Sequence, residues 1–99
     1  MIDKVKPLIS PGRIVATPAA LELLEVEGKT PSELLDRHLY GDWGDLCDED
    51  KALNDAAVRD GSRILSSYEL GDEKLWIITE AEDDNGQRFA TTLLLASQY

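Results

Sequence analysis

The spacing of apolar residues divides the chain into a helical first part and a strand-forming second part. Ala20, Leu21 and Leu24 recur at helical spacing after Thr17-Pro18, predicting a helix over 18–27 with those residues turned inward. The start has a mechanism: the threonine hydroxyl accepts an orphan backbone N–H, proline at the first helical position gives up no hydrogen bond, and Gly28 supplies a left-handed stop. The same punctuation returns at Thr30-Pro31-Ser32-Glu33, where threonine and the glutamate three residues on form a capping box. Leu34, Leu35, His38 and Leu39 then define a second helix ending near Tyr40, at Gly41. A third helix runs from Asp48 to Gly61, with Leu53, Ala56, Ala57 and Ala52 inward and Asp48, Glu49 and Asp50 complementing the dipole of its first turn.

From Arg63 the period falls to two. Ile64, Ser66, Tyr68 and Leu70 alternate with Leu65, Ser67 and Glu69, and a denser apolar run from Leu75 to Glu80 follows a hairpin at Gly71-Asp72-Glu73-Lys74. A third strand, Arg88 to Ala96, comes after the acidic loop Glu82-Asp83-Asp84-Asn85-Gly86, whose Asn-Gly pair favours positive φ. Ile14-Val15 is a candidate fourth strand. The expected fold class is α+β: three helices packed on one face of a three- to four-stranded antiparallel sheet. Residues 1–12, with Pro7, Pro11 and Gly12, read as an N-terminal arm preceding a single domain over 13–99.

Composition narrows the setting. Ninety-nine residues, 42% of them hydrophobic, build one core and leave no room for a second domain. No apolar run approaches the roughly 20 residues of a membrane-spanning helix, and the first residues lack a signal-peptide core, so the expected compartment is cytoplasmic, away from membranes. A single cysteine, Cys47, excludes an internal disulfide, and one histidine argues against a structural zinc site within one chain. Twenty acidic side chains against ten basic give a formal net charge of −10. That field disfavours direct nucleic-acid binding, which relies on lysine and arginine displacing counterions. It suits either plain solubility or occupation of a basic, nucleic-acid-binding groove on another protein.

The linker His38-Leu39-Tyr40-Gly41-Asp42-Trp43-Gly44-Asp45-Leu46 holds the candidate chemistry. His38, Asp42 and Asp45 match a common metal or acid–base donor set. The plainer alternative has His38 packing beneath the turn while the aspartates cap it. Neither the aspartates of 42–50 nor Asp83-Asp84-Asn85-Gly86 fit the twelve-residue frame of an EF-hand. Cys47 lies among Asp45, Asp48, Glu49 and Asp50, which oppose an activated thiolate, and Ser66-Ser67 has no glycine elbow. No catalytic residue, metal ligand or cofactor is therefore assigned. Trp43, free between two glycines, is either a core anchor or an interface hot spot, and Trp76 lies on one of the two faces of its strand.

Four segments together resemble a known family: Gly12-Arg13-Ile14-Val15-Ala16-Thr17-Pro18-Ala19-Ala20-Leu21; Arg37-His38 through Gly41-Asp42-Trp43-Gly44-Asp45-Leu46; Trp76-Ile77-Ile78-Thr79-Glu80-Ala81; and Thr91-Thr92-Leu93-Leu94. The family comprises small bacterial proteins carried on plasmids and integrative elements, described as plasmid-related or as type I restriction subunits. The resemblance spans roughly residues 12–99, and its acidic loop at 82–87 is longer here than in the shorter form of the family. It implies a mobile-element setting and carries over no catalytic residues. A restriction role finds no Asn-Pro-Pro-Tyr-type methyltransferase motif and no glycine-rich cofactor loop. The expected function is a non-enzymatic protein-interaction module that engages a protein partner or itself as a homodimer. Its candidate contact residues are Tyr40, Asp42, Trp43, Asp45, Asp48, Glu49, Asp50 and Trp76. The alternatives are an inhibitor or nucleic-acid mimic acting on a host or rival defence system, and a metal-assisted hydrolase using His38 and the aspartates.

Overall fold

A computed structural model describes residues 6–99. Both threonine-proline starts form as the local chemistry requires. The Thr17 hydroxyl accepts from the Ala20 N–H at 3.1 Å and Pro18 opens helix α1, Pro18–Val26. Thr30 and Glu33 close a reciprocal capping box, at 3.2 and 3.1 Å, on helix α2, Pro31–Leu39. Helix α3, Asp48–Asp60, has no side-chain cap at Cys47, carries Asp48, Glu49 and Asp50 in its first turn, and stops at Gly61 in the left-handed region. The strands are β1, Arg13–Ala16; β2, Ile64–Leu70; β3, Glu73–Thr79; and β4, Ala90–Leu95, followed by a single 3-10 turn at Ala96–Gln98.

The sheet order is β1-β4-β3-β2, with β2, β3 and β4 an antiparallel meander and β1 parallel to β4. This corrects the expected all-antiparallel sheet. Between β1 and β2 the chain makes three helices, which return it to the end of the sheet where β1 began. β2 therefore runs in the direction of β1, and two hairpin reversals bring β4 back to that same direction beside it. The β2–β3 hairpin is also tighter than the sequence suggests: Glu73 pairs with Leu70, leaving only Gly71-Asp72 in the turn, with positive φ at Gly71. At the other end, β4 begins at Ala90 because Arg88 is drawn into an isolated bridge with Glu82 across the acidic loop.

The larger core cluster joins Ala20 and Leu24 of α1 and Leu34 of α2 to Tyr68, Leu70, Leu75, Ile77, Leu93 and Leu95 of the sheet. By their register these sheet residues share one face. A smaller cluster joins Ile9, Trp43, Ala57 and Ile64. Two expected core leucines are absent from both. Leu21 is 45% exposed because α1 docks through the Ala20/Leu24 edge, and Leu53 is 67% exposed because α3 turns Asn54 and Ala57 inward instead. Asn54 wins that position through bonding rather than apolarity: its amide donates to the Leu65 carbonyl at 2.8 Å and its oxygen accepts from the Leu65 N–H at 3.3 Å. The arm is docked over residues 8–12, where the Leu8 N–H donates to Leu39, Ile9 is buried and the Pro11 carbonyl accepts from Thr91. Residues 1–5 lie outside the described residues.

Candidate functional site

The linker from Gly41 to Leu46 lies along the edge of β2 that the sheet leaves open. The Ser67 N–H donates to the Trp43 carbonyl at 3.1 Å and the Asp45 N–H donates to the Ser67 carbonyl at 2.6 Å, so Gly44 pairs with Ser67 as a parallel bridge. The Asp45 carboxylate then takes the Glu69 N–H at 2.8 Å. With Asn54 on Leu65, the N–H groups of Leu65, Ser67 and Glu69 and the carbonyls of Leu65 and Ser67 are occupied, which guards the edge against further strand pairing. Gly44 has to be glycine: its φ is 79° and a Cβ there would lie 2.1 Å from the Ser67 carbonyl oxygen.

His38 is fully buried beneath this strap, 0% exposed. Its Nδ1 lies 2.6 Å from Ser66 Oγ and its Nε2 2.8 Å from Thr79 Oγ1; Thr79 Oγ1 is 2.7 Å from Thr91 Oγ1, which donates to the Pro11 carbonyl at 2.7 Å. The proton order follows from the far end, because a carbonyl can only accept. Thr91 spends its proton on Pro11 and so accepts from Thr79, Thr79 accepts from His38 Nε2–H, and Nδ1 accepts from Ser66. The imidazole is thus neutral with its proton on Nε2. Burial, with the nearby Arg88 charge second, lowers its pKa to about 4. The chain ties α2, β2, β3, β4 and the arm together.

The remaining linker residues are likewise engaged. Asp42 pairs with Arg37 at 2.7 Å and accepts from the Gly44 N–H at 3.2 Å, and the hydrogen bond from Arg37 holds its carboxyl below the usual range. Its carbonyl accepts from the Tyr68 hydroxyl at 2.7 Å, and burial pushes that phenol up to about 12. Trp43, expected as either core anchor or hot spot, is core: 3% exposed, its indole N–H donates to Asp55 at 2.9 Å and its ring meets His38 edge-on at 5.8 Å. Its carbonyl bonds the β2 edge while the indole N–H, on Asp55, holds the ring inward and away from any partner in this fold. The hydrolase set also fails to assemble: His38 has both nitrogens occupied inside, while Asp42 and Asp45 point to Arg37 and Glu69 outside. No three His, Cys, Asp or Glu side chains among the described residues converge as metal ligands.

What stays on the surface lies elsewhere. Asp48, Glu49 and Asp50 are exposed, and Tyr40 is half-buried at the end of α2. Leu53 and Leu46 border a groove of about 300 Å³ that Asp50, Arg63 and Leu65 complete. Trp76 is half-buried on the sheet face opposite Tyr68 and Leu75; Tyr99 packs on it at 5.3 Å, and the Arg63 guanidinium donates to the Tyr99 hydroxyl at 2.6 Å. Arg63 therefore joins the groove to the Trp76 surface.

Sequence reasoning missed Arg88. Only 7% exposed, it donates to the carbonyls of Ser62, Glu80 and Ala57 at 2.8, 3.0 and 3.0 Å, which ties the C-terminal end of α3 to the end of β3. A concavity of about 440 Å³ opens over it, between Ser10 of the arm and Gln87 of the acidic loop. The guanidinium is committed to those carbonyls. Nothing in the order Gln87-Arg88-Phe89 signals such a role, since the carbonyls come from the end of α3 and from the residue after β3. Compared with known proteins, the chain matches no family, no curated sequence and no solved structure.

Proposed function

We propose that this chain is a non-enzymatic protein-interaction module that receives a protein partner on the groove between α3 and the outer face of β2. One observation carries the reading: the reactive side chains of the linker are consumed by internal bonds, whereas Leu53, in the middle of α3, stands 67% exposed beside a groove of mixed apolar and charged lining. An isolated exposed leucine needs no explanation, but one that borders a recess with Leu46 and Leu65 supplies a socket for an apolar anchor. The Asp50 carboxylate lines it, with Asp48 and Glu49 exposed in the same first turn of α3, and this charge selects basic neighbours for that anchor. The reading takes the three helices as packed on one sheet face, leaving the Leu65 and Trp76 face for contact. It also takes the protein as cytoplasmic and, by its resemblance, as belonging to a mobile element. No helix among the described residues is long and apolar enough to cross a membrane.

Charge favours a sharper form of the same reading. Residues 22–84 hold nineteen of the twenty acidic side chains against six basic ones. A body with that field suits a basic, nucleic-acid-binding surface, so the partner would be a host or rival defence protein held off its nucleic acid. The test is affinity capture with the intact protein and with Leu53→Asp, followed by competition of the captured protein with DNA. The reading expects Leu53→Asp to lose the partner with its fold unchanged; equal capture by both proteins would overturn it, and a captured partner that binds DNA undisturbed would remove the mimic form.

A further inference from the structure

The two edges of the sheet are treated in opposite ways. At β2 the Asn54 amide, the Trp43 and Asp45 backbone and the Asp45 carboxylate occupy the edge. At β1, the other terminal strand, no described residue pairs on the outer side. The ladder fixes which groups are open. The N–H groups of Arg13 and Thr17 donate to Phe89 and Leu93 of the β4 side, so the odd residues face β4 and the N–H and C=O of Ile14 and Ala16 point outward. The edge is apolar as well: Ile14, Val15 and the neighbouring Phe89 are 51%, 41% and 77% exposed. β1 is short and begins with Arg13, but it contains no proline, no inward charge and no bulge to block pairing at its outer side.

Charge points to the occupant. The segments 4–21 and 85–99, which supply β1, β4 and the last turn, contain no aspartate or glutamate, although the rest of the chain holds twenty. They carry Lys4, Lys6, Arg13 and Arg88 instead. An acidic protein that meets its own copy must keep carboxylates out of the contact, and depletion of charge with exposed apolar and aromatic side chains is the composition of an interface centre.

We infer that β1 pairs antiparallel with β1 of a second copy about a two-fold axis at Val15, joining two four-stranded sheets into one. The geometry is self-complementary. Placing Val15 opposite Val15 of the copy sets Ile14 opposite Ala16, so the outward N–H and C=O groups of each pair bond one another, and Arg13 faces Thr17 rather than another arginine. Val15 then occupies a non-hydrogen-bonded site, where Cα atoms approach to about 4.5 Å.

The inference is independent of the groove at Leu53 and is tested separately. In light scattering across a concentration series, the mass of the intact protein should climb from 11.0 kDa towards twice that value. Val15→Lys, which sets two ammonium groups against each other at the axis, should weaken association at least roughly tenfold with an unchanged urea midpoint. In a Cys47→Ser background, Val15→Cys should form a disulfide-linked dimer under mild oxidation, since the site meets disulfide spacing, while Ile14→Cys, off the axis and on the other face, should not. A monomer up to roughly 1 mM that gives no cross-link through position 15, or a dimer that survives Val15→Lys undiminished, would overturn it.

Discussion

Replacing His38 with leucine, and following stability against pH, isolates the buried polar chain. At pH 7.5 the change leaves Ser66 Oγ without its acceptor and Thr79 Oγ1 without its donor, both in groups that are 0% exposed. Stranding a buried hydrogen-bonding group costs about 1–3 kcal/mol, so two give about 2–6 kcal/mol, partly offset by burial of the leucine. The pH term has the opposite sense. In the unfolded chain the imidazole takes a proton near 6.5, and in the fold only near 4. Between those values the unfolded state binds more protons, so the native protein loses stability as pH falls. The contribution is fully present above 6.5, is lost as pH drops towards 4, and spans about 3 kcal/mol at 1.36 kcal/mol per unit. His38→Leu lacks it. Urea unfolding of both proteins at pH 7.5, 6, 5 and 4.5 should show a stability gap that narrows steadily on acidification. The carboxylate effects and the relief of net negative charge are common to both proteins and cancel in the difference. A gap that stays constant or widens with falling pH would refute the neutral, doubly bonded histidine.

Other positions give further expectations. Asn54→Ala should cost about 1–3 kcal/mol in urea unfolding and speed hydrogen exchange at the Leu65 amide, because the β2 edge loses its guard. Gly44→Ala, at φ 79° and with a Cβ driven into the Ser67 carbonyl, should lower the melting temperature by more than Asn54→Ala does. Arg88→Leu removes the guanidinium donors from the Ser62 and Glu80 carbonyls and one of two donors from the Ala57 carbonyl, with an expected loss of about 2 kcal/mol or more in the same unfolding assay. Arg37→Ala, which removes an exposed pair with Asp42, should change stability by less than about 1 kcal/mol.

Elements whose signals are local were legible in the chain. Thr17-Pro18 and Thr30-Pro31 with Glu33 set their helix starts through bonds that span three residues, and the alternation from Ile64 to Leu70 gave both faces of β2. Features built by distant segments were not. The parallel placement of β1 beside β4 depends on where three helices deliver the chain, and no property of Ile14-Val15 encodes it. Asn54 reads as an interruption in the apolar stripe of α3, yet it is the residue that docks that helix, because hydrogen bonding to a strand edge outweighs the burial of Leu53. The linker illustrates both cases. Its aspartates were recognisable as structural punctuation, but their partners, Glu69 for Asp45 and Arg37 for Asp42, could be read only from the fold.

That division bears on function. Side chains that first invite a chemical reading, His38, Asp42, Asp45 and Trp43, form the strap and its buried support, while the acidic start of α3 and Leu53 are exposed and Trp76 is half-buried beside Tyr99. The proposal stands on the groove at Leu53. Its most direct test is the dissociation constant of a captured partner for the intact protein and for Leu53→Asp, measured by calorimetry with both proteins shown to unfold at the same urea midpoint. The account predicts a loss of affinity of at least roughly tenfold, about 1.4 kcal/mol, for the variant. Equal affinity of the two would contradict it.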